Sequence, residues 1–187
     1  MRIQKSELAD TQAFSSFFLD YIHQKESLKP FYAQFPDIQN FKTQIENKSK
    51  SFPQHTRNTL ADVLLEQYKG LTISKHTQKN LESLKNQNTF TITTGHQLNI
   101  FTGPLYFVYK IVTVINACKQ LKQKYPDYNF VPVYWMASED HDYEEIKSFR
   151  VSGKKYVWET NQTGAVGRFN PKSIETLFDQ IPGDITV

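Results

Sequence analysis

The sequence lacks the features that several protein classes require. Its 187 residues include one cysteine, Cys118, and this excludes an intrachain disulfide or a zinc site built from cysteines within the chain. No apolar run approaches the roughly 20 residues of a membrane-spanning helix, because Lys110 and Asn116 interrupt the longest one, residues 105–118. The N-terminus contains no apolar segment typical of a secretion signal. We therefore expect a cytoplasmic protein with no membrane partner.

Neither sign of charge is in clear excess. Lysine and arginine number 22, and aspartate and glutamate number 19, which gives a formal net charge of +3. That surplus gives no support for a nucleic-acid partner. The basic residues of the first half alternate with polar and acidic residues, as on a solvated helix face. Hydrophobic residues make up 39% of the chain, enough for a packed core, so the composition indicates a globular protein.

The first half of the chain, residues 1–88, is predicted to be a helical segment. Apolar residues recur there with the spacing of four helices. Asp10 or Thr11 is the expected N-terminal cap of the first helix, and nearby prolines predict a loop over residues 28–32. The four helices are expected at residues 10–25, 37–48, 53–70 and 74–87.

The second half, residues 89–187, changes to the pattern of an α/β fold. Residues 89–94 alternate between polar and apolar side chains and are rich in β-branched residues, which predicts a strand. Residues 130–137 have the continuous apolar character of a buried parallel strand. Between them, Pro104 suits the first turn of a helix over residues 105–124. Strand, helix and strand form a βαβ unit, and the helix is apolar nearly all round, as expected where neighbours cover several sides.

The remainder of the chain is predicted to add a β-hairpin and a helix. Residues 146–151 and 154–160 flank a Ser-Gly pair, a spacing typical of a hairpin with a glycine-assisted turn. Residues 171–181 predict an amphipathic helix, and residues 184–187 resemble the start of another strand. Because a doubly wound sheet needs more strands than these, we expect the parallel sheet to be incomplete in this chain.

The first predicted strand ends in a segment rich in polar groups, and ligands of open α/β sheets bind beyond such carboxyl ends. Glycines would let the backbone approach a ligand, and the following helix offers free amides to an anion. The spacing is neither that of a P-loop nor that of the dinucleotide fingerprint. A turn with a surface histidine explains the same pattern equally well. The candidate phosphate-binding residues are Thr94, Gly95, His96, Gln97, Asn99 and Gly103.

Lys110 is the charged member of the apolar helix. It lies about 10 Å along the helix axis from Gly103, and helical side chains lean toward the N-terminus. Its ammonium would reach either the floor of the candidate site or, by extending outward, the solvent.

Three carboxylates and an imidazole follow the second predicted strand within four residues, Glu139, Asp140, His141 and Asp142. Like charges this close repel one another unless a ligand, a metal or a cation shares them. Alternate residues of an extended chain point to opposite sides, which argues against one metal held by all four. The segment is a candidate substrate site, and a metal-dependent hydrolase is an alternative. A solvated loop with an aspartate capping the next helix explains it without a function.

Two long motifs bring these features together, residues 93–110 (TTGHQLNIFTGPLYFVYK) and 131–142 (VPVYWMASEDHD). With residues 14–22 (FSSFFLDYI) and 29–32 (KPFY), they resemble the bacillithiol biosynthesis cysteine-adding enzyme family, BshC. The similarity covers nearly the whole chain.

The resemblance implies a Rossmann-like core that begins at residue 89 and carries the hairpin as an insertion. A longer chain would supply the later core and a coiled-coil region that forms a homodimer, so the 187 residues alone are expected to be inactive. The implied enzyme is a ligase that joins the carboxyl of cysteine to the amine of glucosaminyl-malate. By kinship with nucleotidylyl transferases, ATP or another adenine nucleotide would activate cysteine as an adenylate, and no metal is implied.

The resemblance also implies roles for the two polar segments. Residues 95–104 and the following helix would hold phosphates, with His96 stabilising charge on the leaving pyrophosphate. The second histidine of the signature in related transferases is missing at the expected spacing. Residues 139–142 would bind substrate, and Asp140 or Asp142 would act as base on the attacking amine. The alternative is a nucleotide- or metabolite-binding module without catalysis.

Overall fold

The structure, a computed structural model, describes residues 5–151 and 153–181. The chain divides into two compact units, residues 1–56 and 57–187. The fold mixes helices and strands, with helices before a parallel two-stranded sheet, which is the predicted α/β class. In the described ranges, no helix combines the length and the apolar content needed to cross a bilayer.

The first unit consists of short helices joined by turns. Ser15 caps the N-terminus of its first α-helix, because the Oγ of Ser15 accepts a hydrogen bond from the amide of Phe18 at 3.2 Å. The prediction of Asp10 or Thr11 as the cap is wrong, since Gln12 adopts a left-handed backbone (φ 53°) and ends the preceding turn. The described elements are a 3₁₀ turn at Leu8–Thr11, α1 (Ser16–Ile22), 3₁₀ helices at Glu26–Phe31 and Ile38–Asn40, and α2 (Phe41–Ser51).

The predicted loop over residues 28–32 is also corrected. These residues belong largely to the 3₁₀ helix Glu26–Phe31, which contains Pro30. The proline ring fixes φ near −65°, a value that a 3₁₀ helix accepts. Proline therefore shapes this segment without excluding helical structure.

A parallel sheet organises the second unit. β1 and β2 pair in register from Thr89 opposite Asn129 to Gln97 opposite Ala137, which confirms the βαβ unit. β1 runs three residues beyond the predicted end, so that residues 95–97 belong to the strand rather than to the loop. The elements up to this sheet are α3 (Gln54–Gln67), α4 (Lys75–Ser83), β1 (Thr89–Gln97), α5 (Leu105–Lys124) and β2 (Asn129–Ala137).

One stripe of α5 packs on the sheet. The Phe107 ring meets the ring of Tyr134 edge-on at a centroid distance of 5.5 Å, and Leu121 is almost fully buried. The other side of the helix is apolar and exposed, because the parallel sheet of the described residues has two strands and covers one side. The exposed apolar residues of α5 include Leu105, Val108, Tyr109, Val112 and Ile115.

The predicted hairpin and a second small core follow the sheet. β3 (Ser148–Val151) and β4 (Lys154–Val157) pair antiparallel, and Gly153 in the turn has a left-handed backbone (φ 81°). The helix predicted over residues 171–181 is a 3₁₀ turn, Pro171–Ile174, followed by a single α-helical turn. The remaining elements are α6 (Tyr143–Ile146), a 3₁₀ turn at Val166–Arg168 and α7 (Glu175–Phe178). The core is formed by Ile146, Trp158, Val166 and Leu177.

The strand predicted at residues 184–187 lies outside the described residues. The division into domains at residues 1–88 and 89–187 stays a prediction. Arg57 to Gln67 of α3, and all of α4, belong to the compact unit that contains the sheet.

A buried arginine joins α3 to the start of the sheet. Arg57 is 6% exposed, and its Nη1 donates to the carbonyl oxygens of Leu84 at 3.0 Å and Thr89 at 2.8 Å. Burial lowers the pKa of the guanidinium, which nevertheless stays charged at neutral pH. These bonds satisfy two backbone acceptors at the junction of α4 and β1.

Replacing Arg57 by methionine is expected to destabilise the protein by about 3 kcal/mol, because buried carbonyls lose their donor. Urea unfolding, followed by the fluorescence of Trp135 and Trp158, measures the loss. The matched control is Arg168→Met at an exposed position, which we expect to cost about 0.5 kcal/mol or less. Equal losses for the two variants would contradict the structural role of Arg57.

Burial raises the pKa of the Cys118 thiol to about 11, above the usual value of about 8.5. Because the raised pKa leaves little thiolate at about pH 8, we expect iodoacetamide to alkylate the folded protein at least roughly 100-fold more slowly than the urea-unfolded protein. Mass spectrometry of timed samples checks this. Similar rates in both states would show that Cys118 is accessible and reactive in the folded chain.

Candidate functional site

A cavity of about 550 Å³ lies between the carboxyl end of β1, the loop that follows it, the first turn of α5 and the strand β3. This volume falls within the range of small-molecule sites, roughly 300–1,000 Å³. Its polar lining residues are His96, Asn99, Tyr106, Glu145, Ser148 and Arg150.

His96 is the most constrained of these residues. It is 8% exposed, so the alternative of a surface histidine is wrong. Its ring packs against the ring of Phe107 edge-on at 5.6 Å, and its Nε2 lies 3.0 Å from the hydroxyl of Tyr106. The hydroxyl of Tyr134 donates to the backbone carbonyl of His96 at 3.3 Å. Burial raises the pKa of Tyr134, so this hydroxyl keeps its proton at neutral pH.

Asn99 and Gln97 surround the Nδ1 atom of His96. The Nδ2 of Asn99 donates to the carbonyl of Gln97 at 2.8 Å and lies 3.0 Å from the Nδ1 of His96. When Nδ1 accepts from Asn99, the proton sits on Nε2, which donates to Tyr106. When the proton sits on Nδ1, Nδ1 donates to the Gln97 carbonyl, 3.0 Å away, and Nε2 accepts from the Tyr106 hydroxyl. The first tautomer places a donor at the cavity wall, which is suited to stabilising negative charge.

Tyr106 is a site residue that the sequence analysis missed. It stands in the first turn of α5, and helical side chains lean toward the N-terminus, which places its hydroxyl at His96. That position in the first turn was the available signal.

Lys110 is exposed and is not among the residues that line the cavity. Its Nζ donates to the carbonyl of Gly95 at 3.3 Å and lies 5.5 Å from the ring centroid of Tyr106. Its positive charge therefore lies near a ring that lines the cavity, and its role in binding stays a prediction.

Neighbouring protein atoms leave little room for a side chain at the two glycines within residues 95–104. A Cβ at Gly95 would lie 3.1 Å from the carbonyl oxygen of Trp135, its partner on β2. Gly103 has a left-handed backbone (φ 63°), and a Cβ there would lie 2.5 Å from the Cγ of Asn99. Glycine at position 103 thus keeps Asn99 in place beside His96. The assignment of both glycines to phosphate binding stays a prediction.

The loop between β1 and α5 is held by aromatic contacts. Phe101 and Thr102 also adopt left-handed backbones (φ 52° and 63°), which costs non-glycine residues roughly 1–2 kcal/mol each. The Phe101 ring lies 4.5 Å from the Phe149 ring of β3 and 5.4 Å from the Phe178 ring of α7. These contacts offset the backbone cost and close one side of the cavity.

The acidic segment forms local hydrogen bonds beside the cavity. The carboxylate of Asp142 caps α6 by accepting the amide of Glu145 at 3.2 Å, and Asp140 accepts the amide of Asp142 at 2.9 Å. Glu139 accepts from the indole of Trp135 at 3.3 Å, and His141 is exposed. The capping predicted as the non-functional alternative is therefore present.

The backbone of this segment is fixed by the chain that returns from the hairpin. The amide of Val166 donates to the carbonyl of Asp140 at 2.8 Å, and the amide of Gly167 donates to that of Ser138 at 2.9 Å. A Cβ at Gly167 would lie 2.4 Å from the Cβ of Ser138. In the described part of the chain, no group of three or more His, Cys, Asp or Glu side chains is arranged to hold a metal.

The structure brings together some of the predicted residues and separates others. His96, Asn99 and Gly103 line the cavity, whereas Gly95 and Lys110 do not, although Lys110 donates to the Gly95 carbonyl. Thr94 and Gln97 are strand residues of β1 that do not line it. Among the described residues, those at 139–142 also do not line the cavity, although Asp142 holds the helix that carries Glu145 into it.

Comparison with known proteins gives consistent matches. The family model described as "Bacillithiol biosynthesis BshC, N-terminal Rossmann-like domain" matches residues 1–186. A Flavobacterium psychrophilum protein named "Putative cysteine ligase BshC" is 56% identical over 166 residues, covering 88% of this chain and 31% of the relative. A protein of the same name from Christiangramia forsetii is 47% identical over 180 residues, covering 94% and 34%. The chain thus spans about a third of the length of these curated relatives.

Substituting Gly103 tests the support of His96. Gly103→Ala forces the Asn99 side chain to move, so we expect a stability loss about 2 kcal/mol larger than that of Gly70→Ala. Gly70 is the matched control, since it also has a left-handed backbone (φ 81°) but open space around its Cβ position. Urea unfolding measures both losses, and the ¹⁵N chemical shifts of the His96 ring report the altered hydrogen bonds. An unchanged His96 spectrum in Gly103→Ala would contradict this role of Asn99.

Proposed function

This chain belongs to the BshC family, and we propose that the full-length gene product is a ligase that forms an amide between the carboxyl of cysteine and the amine of glucosaminyl-malate. The observation that carries the proposal is the donor arrangement of Asn99, His96 and Tyr106 at the carboxyl end of β1, in a chain that the family model matches almost throughout. Cysteine and glucosaminyl-malate would be its small-molecule partners.

The chemistry explains why a nucleotide is part of the proposal. A free carboxylate does not react with an amine, so cysteine must first be activated. We propose that its carboxylate oxygen attacks the α-phosphorus of ATP or another adenine nucleotide and releases pyrophosphate. The substrate amine then attacks the acyl carbon of the adenylated cysteine, the bond to AMP breaks, and the amine proton passes to a base.

The donor set around His96 fits an anionic group of this kind. His96 presents an Nε2–H when that nitrogen carries the proton, Tyr106 adds a hydroxyl, and the Lys110 ammonium lies 5.5 Å from the centroid of the Tyr106 ring. Charge-assisted hydrogen bonds to phosphate oxygens are short and strong, and donors placed before the reaction lower the cost of charge that develops on a leaving group. We propose that His96 stabilises the leaving pyrophosphate in this way. The proposed nucleotide-binding set is Thr94, Gly95, His96, Gln97, Asn99, Gly103 and Lys110.

The acidic segment is proposed to serve the amine-bearing substrate. Glu139, Asp140, His141 and Asp142 would contact its amine or hydroxyl groups, with Asp140 or Asp142 as the base. Asp140 is half-buried and Asp142 is exposed, so Asp142 is the more accessible to a bound substrate. The support for this role is that α6 follows the segment directly and carries Glu145, which lines the cavity.

The setting of the enzyme is part of the same proposal. We propose a cytoplasmic homodimer whose dimer contacts lie in sequence beyond these 187 residues, and a 187-residue chain that is inactive alone. No metal cofactor is proposed.

Removing the imidazole tests the proposal. The full-length gene product is incubated with cysteine, glucosaminyl-malate and ATP, and mass spectrometry detects the cysteinyl amide. We expect His96→Ala to lower kcat roughly 100-fold or more, as for other preorganised charge-stabilising donors, and Tyr106→Phe to lower it less, because the ring is retained. Matched controls are His76→Ala, an exposed histidine on α4, and Tyr109→Phe, an exposed tyrosine on α5.

Each outcome has a separate meaning. Product that persists undiminished in a folded His96→Ala variant would keep the ligase but reject the proposed role of His96. No product with any nucleotide would reject the ligase and favour a binding module.

A further inference from the structure

Arg150 of β3 and Glu145 of α6 carry opposite charges that the proposed function leaves unused. Both residues are exposed and both line the cavity. Neither belongs to the two polar segments that the sequence singled out. The other residues of β3 are half-buried, so Arg150 is the residue of this strand that presents a charge to the cavity.

The pairing of the hairpin strands makes Arg150 unusual. It stands directly opposite Lys155 on β4, and Lys154 lies opposite Val151. Like charges that face each other across an antiparallel pair are destabilising. β3 and β4 contain no acidic residue to balance these three cations. The hairpin strands therefore provide no counter-ion for Arg150.

The guanidinium of Arg150 retains donor capacity. In the described part of the chain, the Nη1 of Arg150 donates a long hydrogen bond, 3.4 Å, to the carbonyl of Gly153. A guanidinium has five N–H donors in a planar fork that matches a carboxylate or a phosphate. The bond to Gly153 therefore ties the group to the hairpin turn and leaves further donors for a ligand.

Glu145 and the cavity volume narrow the choice of ligand. A carboxylate beside the arginine repels a polyphosphate but attracts an amine. The Phe101 and Phe149 rings, 4.5 Å apart, line the same cavity and provide an apolar surface that strengthens charge pairs. The volume of about 550 Å³ suits a ligand larger than a single amino acid.

We propose that Arg150 and Glu145 form a binding subsite for an amine-bearing carboxylic acid, in which Arg150 binds the carboxylate and Glu145 the amine. The choice of ligand rests on the proposed ligase function, whose acceptor substrate, glucosaminyl-malate, carries both groups. The subsite and His96 line the same cavity, so the amine is held in the cavity in which it would meet the activated acyl group.

Paired substitutions in the full-length gene product test the subsite. Arg150→Gln is compared with Lys155→Gln, which removes the same charge from the facing position on β4. We expect Arg150→Gln to raise KM for glucosaminyl-malate about tenfold or more, with KM for ATP within about twofold of the wild type. Lys155→Gln is expected to leave both KM values within about twofold, and Arg150→Lys, which keeps the charge without the fork, to be intermediate.

A binding measurement keeps the inference independent of turnover. Malate is the probe, inorganic phosphate is the comparison, and the readout is the rise in Tm on adding each. Malate is expected to raise the Tm of the wild type and of Lys155→Gln, but not that of Arg150→Gln. If Arg150→Gln does not fold, Arg150→Lys must show a smaller rise than Lys155→Gln.

The outcomes separate this inference from the proposed function. An absence of ligase turnover in the wild type rejects the proposed function, whereas a malate shift that is lost in Arg150→Gln still supports the subsite. A rise in KM for ATP alone, or a Tm shift with phosphate but not malate, would identify a phosphate site and overturn the carboxylate assignment. Equal behaviour of Arg150→Gln and Lys155→Gln would overturn the subsite altogether.

Discussion

The parallel pairing of β1 and β2 is the constraint on which the rest of the site depends. Because parallel neighbours cannot be joined by a tight turn, the chain must return along the sheet, and α5 makes that return. The pairing brings Gln97 beside Ala137, so that both following segments leave the same edge. At the other end, Arg57 joins the carbonyls of Leu84 and Thr89 and fixes where β1 begins.

The sequence predicted the βαβ unit well because its signals are local. β-branched alternation, an apolar helix after a proline and a second apolar run each need no knowledge of distant residues. The start of α1 was less predictable, since Asp10, Thr11 and Ser15 are all acceptable caps and the choice depends on the left-handed turn at Gln12. What covers the apolar outer side of α5 could not be predicted either, because helix periodicity indicates apolar character and not which neighbour packs against it.

The candidate site was predictable in part for the same reason. His96 and Asn99 stood out as polar groups after a strand, but the bond from His96 to Tyr106 depends on β1 continuing to Gln97. Arg150 gave no local signal, because the sequence around an exposed charged residue on a short strand is the same whether that residue lines a cavity or not. The capping by Asp142 was visible in the sequence as an alternative, since an aspartate before a helical turn is a common cap.

The two aromatic rings that contact Phe101 link the cavity to a distant part of the chain. Phe178 belongs to α7, more than seventy positions after the loop, yet its ring contacts the same phenylalanine that holds the loop against β3. The left-handed backbone is energetically costly at Phe101 and Thr102. The contact of Phe101 with Phe178 of α7 therefore helps to stabilise the loop. Loosening α7 would thus loosen Phe101 and the loop that holds Asn99 beside His96, so the geometry around His96 is coupled to Phe178, a residue that does not line the cavity.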